Sequence, residues 1–157
     1  MKGVKLFMQN DLTKIIRMLR KAKHVWLIGD GGSAALADHF ACDLLKNCRL
    51  PAISLCSNTA MITAIGNDYF FDDVFSRQLR ILYRPDDLLV IFSTSGNSKN
   101  LVEASRVASK ILVVSGNDGG RLKKHATILF DVKSNDQQES ENRMLMFCHE
   151  VVKELNK

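Results

Sequence analysis

Two short turns combine glycine with hydroxyl side chains. Gly29-Asp30-Gly31-Gly32-Ser33 is the first, and Ser93-Thr94-Ser95-Gly96-Asn97-Ser98 is the second. Each follows an apolar run and opens a segment of helical period. The start of a helix offers unpaired backbone N–H groups and a partial positive charge, so it can hold an anion. Glycine lets the backbone approach closely, and hydroxyls add donors. Ser93, Thr94, Ser95 and Ser98 supply more hydroxyls than a helix cap requires. Either turn alone reads equally well as capping. Together at one ligand site they favour a phosphate compound. Gly29, Gly31 and Ala34 fit the loose G-x-G-x-x-G/A dinucleotide pattern, but the second strand ends Leu55-Cys56-Ser57-Asn58, without the carboxylate a ribose wants. No G-x-x-x-x-G-K-[ST] nucleotide loop occurs. A compact phosphate suits the serine-rich turn better.

A second constellation pairs imidazoles with carboxylates. His39 and Asp43 are spaced i, i+4, on one helix face. Glu141 and His149 lie just over two turns apart near the end of the chain. Together His39, Asp43, Glu141 and His149 make a plausible set for a divalent metal, zinc fitting well. From spacing alone the same residues read as a helix-face ion pair and a histidine near a helix end. His24 and His125 flank strands and are expected at the surface. Asn67-Asp68-Tyr69 reads as a polar turn, either leading into a helix or offering Asn67 and Asp68 to a polyhydroxylated substrate.

Short apolar runs alternate with helix-period segments. Strands are expected at 25–29, 52–56, 88–93, 111–116 and 127–132. Helices are expected at about 6–22, at 33–46 with Ser33 as N-cap, at 58–65, 72–82 and 98–109 with Ser98 as cap, and at about 138–156. The strands are continuous apolar runs, the mark of a parallel sheet buried on both faces. The expectation is an α/β protein: a three-layer α/β/α sandwich of flavodoxin-like form, with five parallel strands in the order 2-1-3-4-5. Its switch point lies between strands 1 and 3, where both turns arrive.

The chain has 157 residues, 46% of them apolar and 25% charged, which suits a single domain with an N-terminal helix in 1–22 and an α/β core over 24–157. No apolar run approaches the roughly 20 residues of a membrane span, and no secretory signal is visible, so a cytoplasmic protein is expected. Cys42, Cys48, Cys56 and Cys148 form no C-x-x-C pair and read as reduced buried thiols. The net charge is +5. Its lysines and arginines are scattered, without the aromatic interleaving of a nucleic-acid site, and suit a small anionic substrate.

The segments GDGGSAALADHFACDL, TAIGNDYFFDDVFSRQL, LVIFSTSGNS and SGNDGG resemble the sugar-isomerase (SIS) domain family, and within it the phosphoheptose isomerases. The resemblance runs from about residue 24 to the end. It implies an aldose–ketose isomerase that converts sedoheptulose 7-phosphate to a D-glycero-manno-heptose 7-phosphate for bacterial surface glycans such as lipopolysaccharide. It implies phosphate contacts from Ser93, Thr94, Ser95 and Ser98, and sugar contacts from Asp30, Gly31, Gly32, Ser33, Asn67, Asp68 and Glu141. His39, Asp43, Glu141 and His149 would be metal ligands, with Asp43 and His149 the acid/base pair. A homo-oligomer, tetramer or dimer, is implied too, although only about 20 residues precede strand 1 where relatives carry a longer helical arm. The chain departs from the family at Asp30 (usually Asn), Asp43 (usually Glu), Glu141-Asn142 (usually Gln-Glu) and Met144 (usually His). A non-catalytic SIS module binding a sugar phosphate or a protein, or an isomerase of another sugar phosphate, would carry the same motifs. Retention of both His39 and His149 favours the enzyme.

Overall fold

Five parallel strands pair in the order β2-β1-β3-β4-β5 in the computed structural model, which describes residues 9–157. They are β1 (Val25–Ile28), β2 (Ala52–Ser54), β3 (Leu88–Ser93), β4 (Ile111–Ser115) and β5 (Ile128–Asp131). The helices are α1 (Gln9–Lys21), α2 (Gly32–Cys48), α3 (Thr59–Asp68), α4 (Ser76–Leu82), α5 (Lys99–Ser105) and α6 (Gln137–Leu155). The part of the first expected helix before residue 9 lies outside the described residues.

The strand residues alternate between two cores. Val25, Leu27, Leu88, Val90, Phe92, Leu112 and Val114 pack under α1, α2 and α6. Trp26, Ile28, Leu89, Ile91, Ile111 and Val113 pack under α3, α4 and α5. Every residue of β1, β3 and β4 is buried, which explains their unbroken apolar sequence. The edge strands β2 and β5 are only partly covered. Beneath α2 and α6, Phe40 meets Phe92 edge-on at 6.0 Å between ring centroids, and Phe147 stacks on Phe130 at 4.4 Å. Such pairs add about 0.5–1.5 kcal/mol each beyond burial. No helix among the described residues is long and apolar enough to cross a membrane.

Caps explain several boundaries. Asn58 accepts a hydrogen bond from Met61 N (3.1 Å) and starts α3. Asp136 accepts from Glu139 N (2.7 Å) and starts α6. Ser33 is not the cap of α2. Gly31 holds that position, and Ser33 is the second helical residue, buried. The helix α3 runs on through Asn67 and Asp68, so these residues form its last turn rather than a polar loop. The segment expected as a helix over 72–82 is a 3₁₀ turn at Phe71–Asp73 followed by α4. The helix after β3 stops at Ser105, and a short 3₁₀ segment, Gly120–His125, follows β4.

Candidate functional site

The first glycine-rich turn leaves β1 at Gly29, where a Cβ would strike the backbone of Ser33 at 2.5 Å. Bare backbone there lets α2 begin directly over the strand end. Asp30 turns toward the second loop and accepts a 2.7 Å hydrogen bond from Asn100 Nδ2. Asn100 belongs to α5 and is buried, so this bond fastens the turn after β1 to the helix after β3 across the switch point.

In the second turn the hydroxyls are oriented by the backbone. Ser93 Oγ accepts from Gly96 N (3.0 Å), and Ser95 Oγ accepts from Asn97 N (3.2 Å). A hydroxyl whose oxygen is engaged as acceptor keeps its own proton for another partner. Ser98 occupies the N-cap position of α5 but makes no side-chain cap bond. These three hydroxyls therefore remain donors.

Between the turns lies an open cleft of about 370 Å³, lined by Asp30, Ser33, Thr94, Ser95, Ser98 and Glu141 among others. Asn135 and Gln137, at the start of α6, also line it. Neither stands out in the sequence, since each is an ordinary polar residue near a helix start. No lysine or arginine lines the cleft among the described residues; its donors are the neutral hydroxyls of the second turn, and its acidic groups, Asp30 and Glu141, belong to the first turn and to α6. Glu141 reaches in from α6 and rests on Gly32, where a Cβ would lie 2.5 Å from Glu141 Oε2 and still closer to Oε1 and Cδ. Gly32 thus makes room for a carboxylate.

Further along the same two helices, His39, Asp43 and His149 bring one ligand atom each within 4.8 Å of the others. His39 Nε2 lies 3.0 Å from His149 Nε2 and 3.2 Å from Asp43 Oδ2. Both histidines are exposed, and Asp43 is half-buried. Since Gly32 meets Glu141 and His39 meets His149, α2 and α6 run side by side in the same direction. Glu141 is not in this cluster. Eight residues of helix, about 12 Å, separate it from His149, and it belongs to the cleft instead. Met144, between them, is fully buried in the core.

Donor atoms bound at about 2 Å by a tetrahedral zinc stand roughly 3.3 Å apart. The 3.0 and 3.2 Å separations here are close to that, and two imidazoles with a carboxylate are a fitting donor set. Asn67 and Asp68 are exposed, hydrogen-bonded to each other at 2.9 Å, and do not line the cleft.

The His24 side chain is 41% exposed, as expected of a surface residue flanking a strand, whereas His125 is half-buried. His24 Nδ1 lies 3.0 Å from the buried Asp87 carboxylate, which also accepts from Trp26 Nε1 (3.0 Å) and Arg84 N (2.8 Å). Burial opposes the charge on Asp87, but the bonds from Trp26, Arg84 and His24 outweigh it and hold its carboxyl below the ordinary value. Burial, with nearby Lys124 and Arg106, pushes His125 down. All four cysteines are free. Cys148 is buried, Cys48 and Cys56 are half-buried, and Cys42 is exposed, against the expectation of uniformly buried thiols. Burial, the largest influence on Cys56, pushes its thiol up to about 11.

The sheet order and the cleft at its switch point define a doubly wound α/β protein with an open cleft between β1 and β3. Residues 8–113 match the SIS domain. The chain is 42% identical to the phosphoheptose isomerase of Campylobacter concisus, over 85% of this chain and 75% of that protein. It is 38% identical to the phosphoheptose isomerase of Aliarcobacter butzleri, over 92% and 83%. The solved phosphoheptose isomerase of Neisseria gonorrhoeae superposes with a TM-score of 0.87 at 30% identity, over 94% of this chain and 86% of that one. The chain belongs to the SIS-domain family and, within it, to the phosphoheptose isomerases, which are aldose–ketose isomerases.

Proposed function

We propose that the chain converts sedoheptulose 7-phosphate to D-glycero-manno-heptose 7-phosphate, for bacterial surface-heptose synthesis. The observation that carries this reading is the pairing of a hydroxyl-rich cleft with a His–Asp–His cluster on α2 and α6, both of which start at that cleft. The name the relatives carry, phosphoheptose isomerase, supports a heptose phosphate as substrate. Ser93, Thr94, Ser95 and Ser98 bind the phosphate. Asp30, Ser33 and Glu141 contact the sugar hydroxyls, with Gly31 and Gly32 carrying the backbone between Asp30 and Ser33. Asn67 and Asp68 lie outside this chain's cleft; a sugar contact from them would require a second subunit.

Isomerisation moves one proton between neighbouring carbons and one between their oxygens. Asp43 removes a proton from the carbon beside the carbonyl, and His149 delivers one to the carbonyl oxygen, giving an enediol. A proton returned to the other carbon and one lost from the other hydroxyl give the aldose, with no net proton consumed. Such acid/base groups contribute about 10²–10⁴-fold. His39, Asp43 and His149 are the residues that would hold a divalent ion, zinc by the donor set; with its Nε2 engaged there, His149 would yield its proton's place at the carbonyl oxygen to that ion, and the second carboxylate oxygen of Asp43 would stay free as the base. That ion would supply a Lewis acid able to polarise a carbonyl oxygen.

Self-association is part of the reading. Tyr69, Phe70 and Phe71 are 53%, 73% and 57% exposed, an apolar run that a dimer or tetramer would cover. Free cysteines support a cytoplasmic setting. The test is turnover of sedoheptulose 7-phosphate by the purified chain, before and after chelation and with zinc restored. Product formation that falls on chelation and returns with zinc supports the reading. Absence of product in every condition, with the sugar phosphate still bound, would replace it with a binding module.

A further inference from the structure

We propose that Asn97 is a positioning residue for the phosphate turn, acting through Ser95, with the loop 117–121 as its anchor. The inference rests on the reading of that turn as a phosphate site. Asn97 is exposed and does not line the cleft. Its side chain nevertheless bridges two segments. Its Nδ2 donates to Ser95 O at 2.9 Å, and its Oδ1 accepts from Arg121 N at 3.0 Å.

The turn must face an anion with donors, so its carbonyl oxygens must be kept away. Three consecutive carbonyls are each held by a donor. Thr94 O accepts from Gly116 N (3.1 Å), Gly96 O accepts from Leu122 N (3.1 Å), and Ser95 O accepts from Asn97 Nδ2. Two of these donors are backbone and cannot be lost by substitution of a side chain. The middle one belongs to Asn97. Ser95 is also the residue whose hydroxyl accepts from Asn97 N, so one residue fixes both its carbonyl and its hydroxyl.

The two loops interlock closely enough to make the anchor rigid. Gly96 has φ +66°, and a Cβ on it would run into Gly119 O and lie 2.8 Å from Gly120 N. A Cβ on Gly120 would run into Ser95 O and lie 2.7 Å from Asn97 Oδ1. The SGNDGG segment after β4 thereby gains a purpose: its glycines let it lie against the back of the turn.

Without the Asn97 side chain, Ser95 O is free to rotate toward the cleft and present negative charge to the phosphate. The test uses inorganic phosphate, measured by calorimetry, and sedoheptulose 7-phosphate kinetics. The proteins are wild type, Asn97→Ala, Ser95→Ala and the double variant, with melting temperatures as the folding check. Asn97→Ala is expected to weaken phosphate on the order of tenfold and to raise KM by a similar factor, with kcat within about twofold. The double variant should lose less than the product of the single losses, because Asn97 works through Ser95. Unchanged phosphate affinity in Asn97→Ala overturns the proposal, and so does full additivity with Ser95→Ala. A wild type that binds no inorganic phosphate overturns the phosphate site itself and the positioning role with it, an outcome visible before any variant is made.

Discussion

Gly32→Ala separates two accounts of one glycine. By its motif, Gly32 is bare so that a sugar can approach the backbone. In the structure it is bare because the carboxylate of Glu141 fills the space. An added Cβ would sit 2.5 Å from Glu141 Oε2 and closer still to Oε1 and Cδ, and ordinary contact begins at 3.4 Å, so the carboxylate must retreat by at least about 0.9 Å. Glu141 is the far end of a flexible side chain, so the movement costs the fold little. Gly32 is the first residue of α2 and lies outside the left-handed region, so alanine is conformationally welcome and adds about 0.5 kcal/mol of helix stability. A misplacement of about 1 Å in a site can cost on the order of a hundredfold in rate. Gly32→Ala is therefore expected to lower kcat/KM by about ten- to a hundredfold while the melting temperature holds or rises. The decisive assay is the cycle with Glu141→Ala. In that background Gly32→Ala should have almost no further effect, because the group it displaces is gone. A full additional loss there would mean that the methyl group collides with substrate, and the structural account of Gly32 would be refuted.

Other perturbations have equally definite outcomes. His149→Ala should abolish turnover while leaving the circular dichroism spectrum and phosphate affinity unchanged; retained turnover would remove His149 from the acid/base pair. Ser95→Ala should raise KM by about ten- to a hundredfold through loss of one charge-assisted hydrogen bond, roughly 1–3 kcal/mol, and an unaltered KM would take Ser95 out of the site. Asp87→Asn leaves donors from Trp26, Arg84 and His24 competing for a weaker acceptor and should cost about 1–3 kcal/mol. Because the Asp87 carboxyl is lowered in the folded state, its stabilisation is complete above the ordinary value of 3.8 and is lost as pH falls through the folded one. The substitution should therefore flatten the acid limb of a stability–pH curve, and a limb of unchanged steepness would count against the network.

The order of the sheet was legible because burial on both faces leaves a plain sequence record. Val25-Trp26-Leu27-Ile28 and Leu88 to Phe92 are apolar at every position since alternate residues enter opposite cores. The turns that line the cleft were legible from composition: four hydroxyls beside a glycine exceed what a cap requires. The joins were harder to see. Ser33 looks like a cap, but the role passes to Gly31, whose φ of +56° brings the chain into α2 without a side-chain bond. Asn67 and Asp68 look like a turn, but α3 continues through them. Asn100 gave no signal because its work is long-range, tying Asp30 across the switch point, and Asn97 read only as a member of the turn because its bond from Arg121 N also comes from across a loop. Spacing placed Glu141 and His149 on one helix side correctly, yet it could not say that two turns carry Glu141 out of the cluster and into the cleft.

In the proposed reaction, proton transfer by groups at the His39–Asp43–His149 cluster interconverts a ketose and an aldose phosphate. Turnover of sedoheptulose 7-phosphate in heavy water tests it most directly, with the product read by mass spectrometry and NMR. The expected product is heptose 7-phosphate carrying solvent deuterium on the carbon that received the returning proton, with none formed by His149→Ala. Product formed by His149→Ala at the wild-type rate, or no product from the metal-restored wild type, would contradict it.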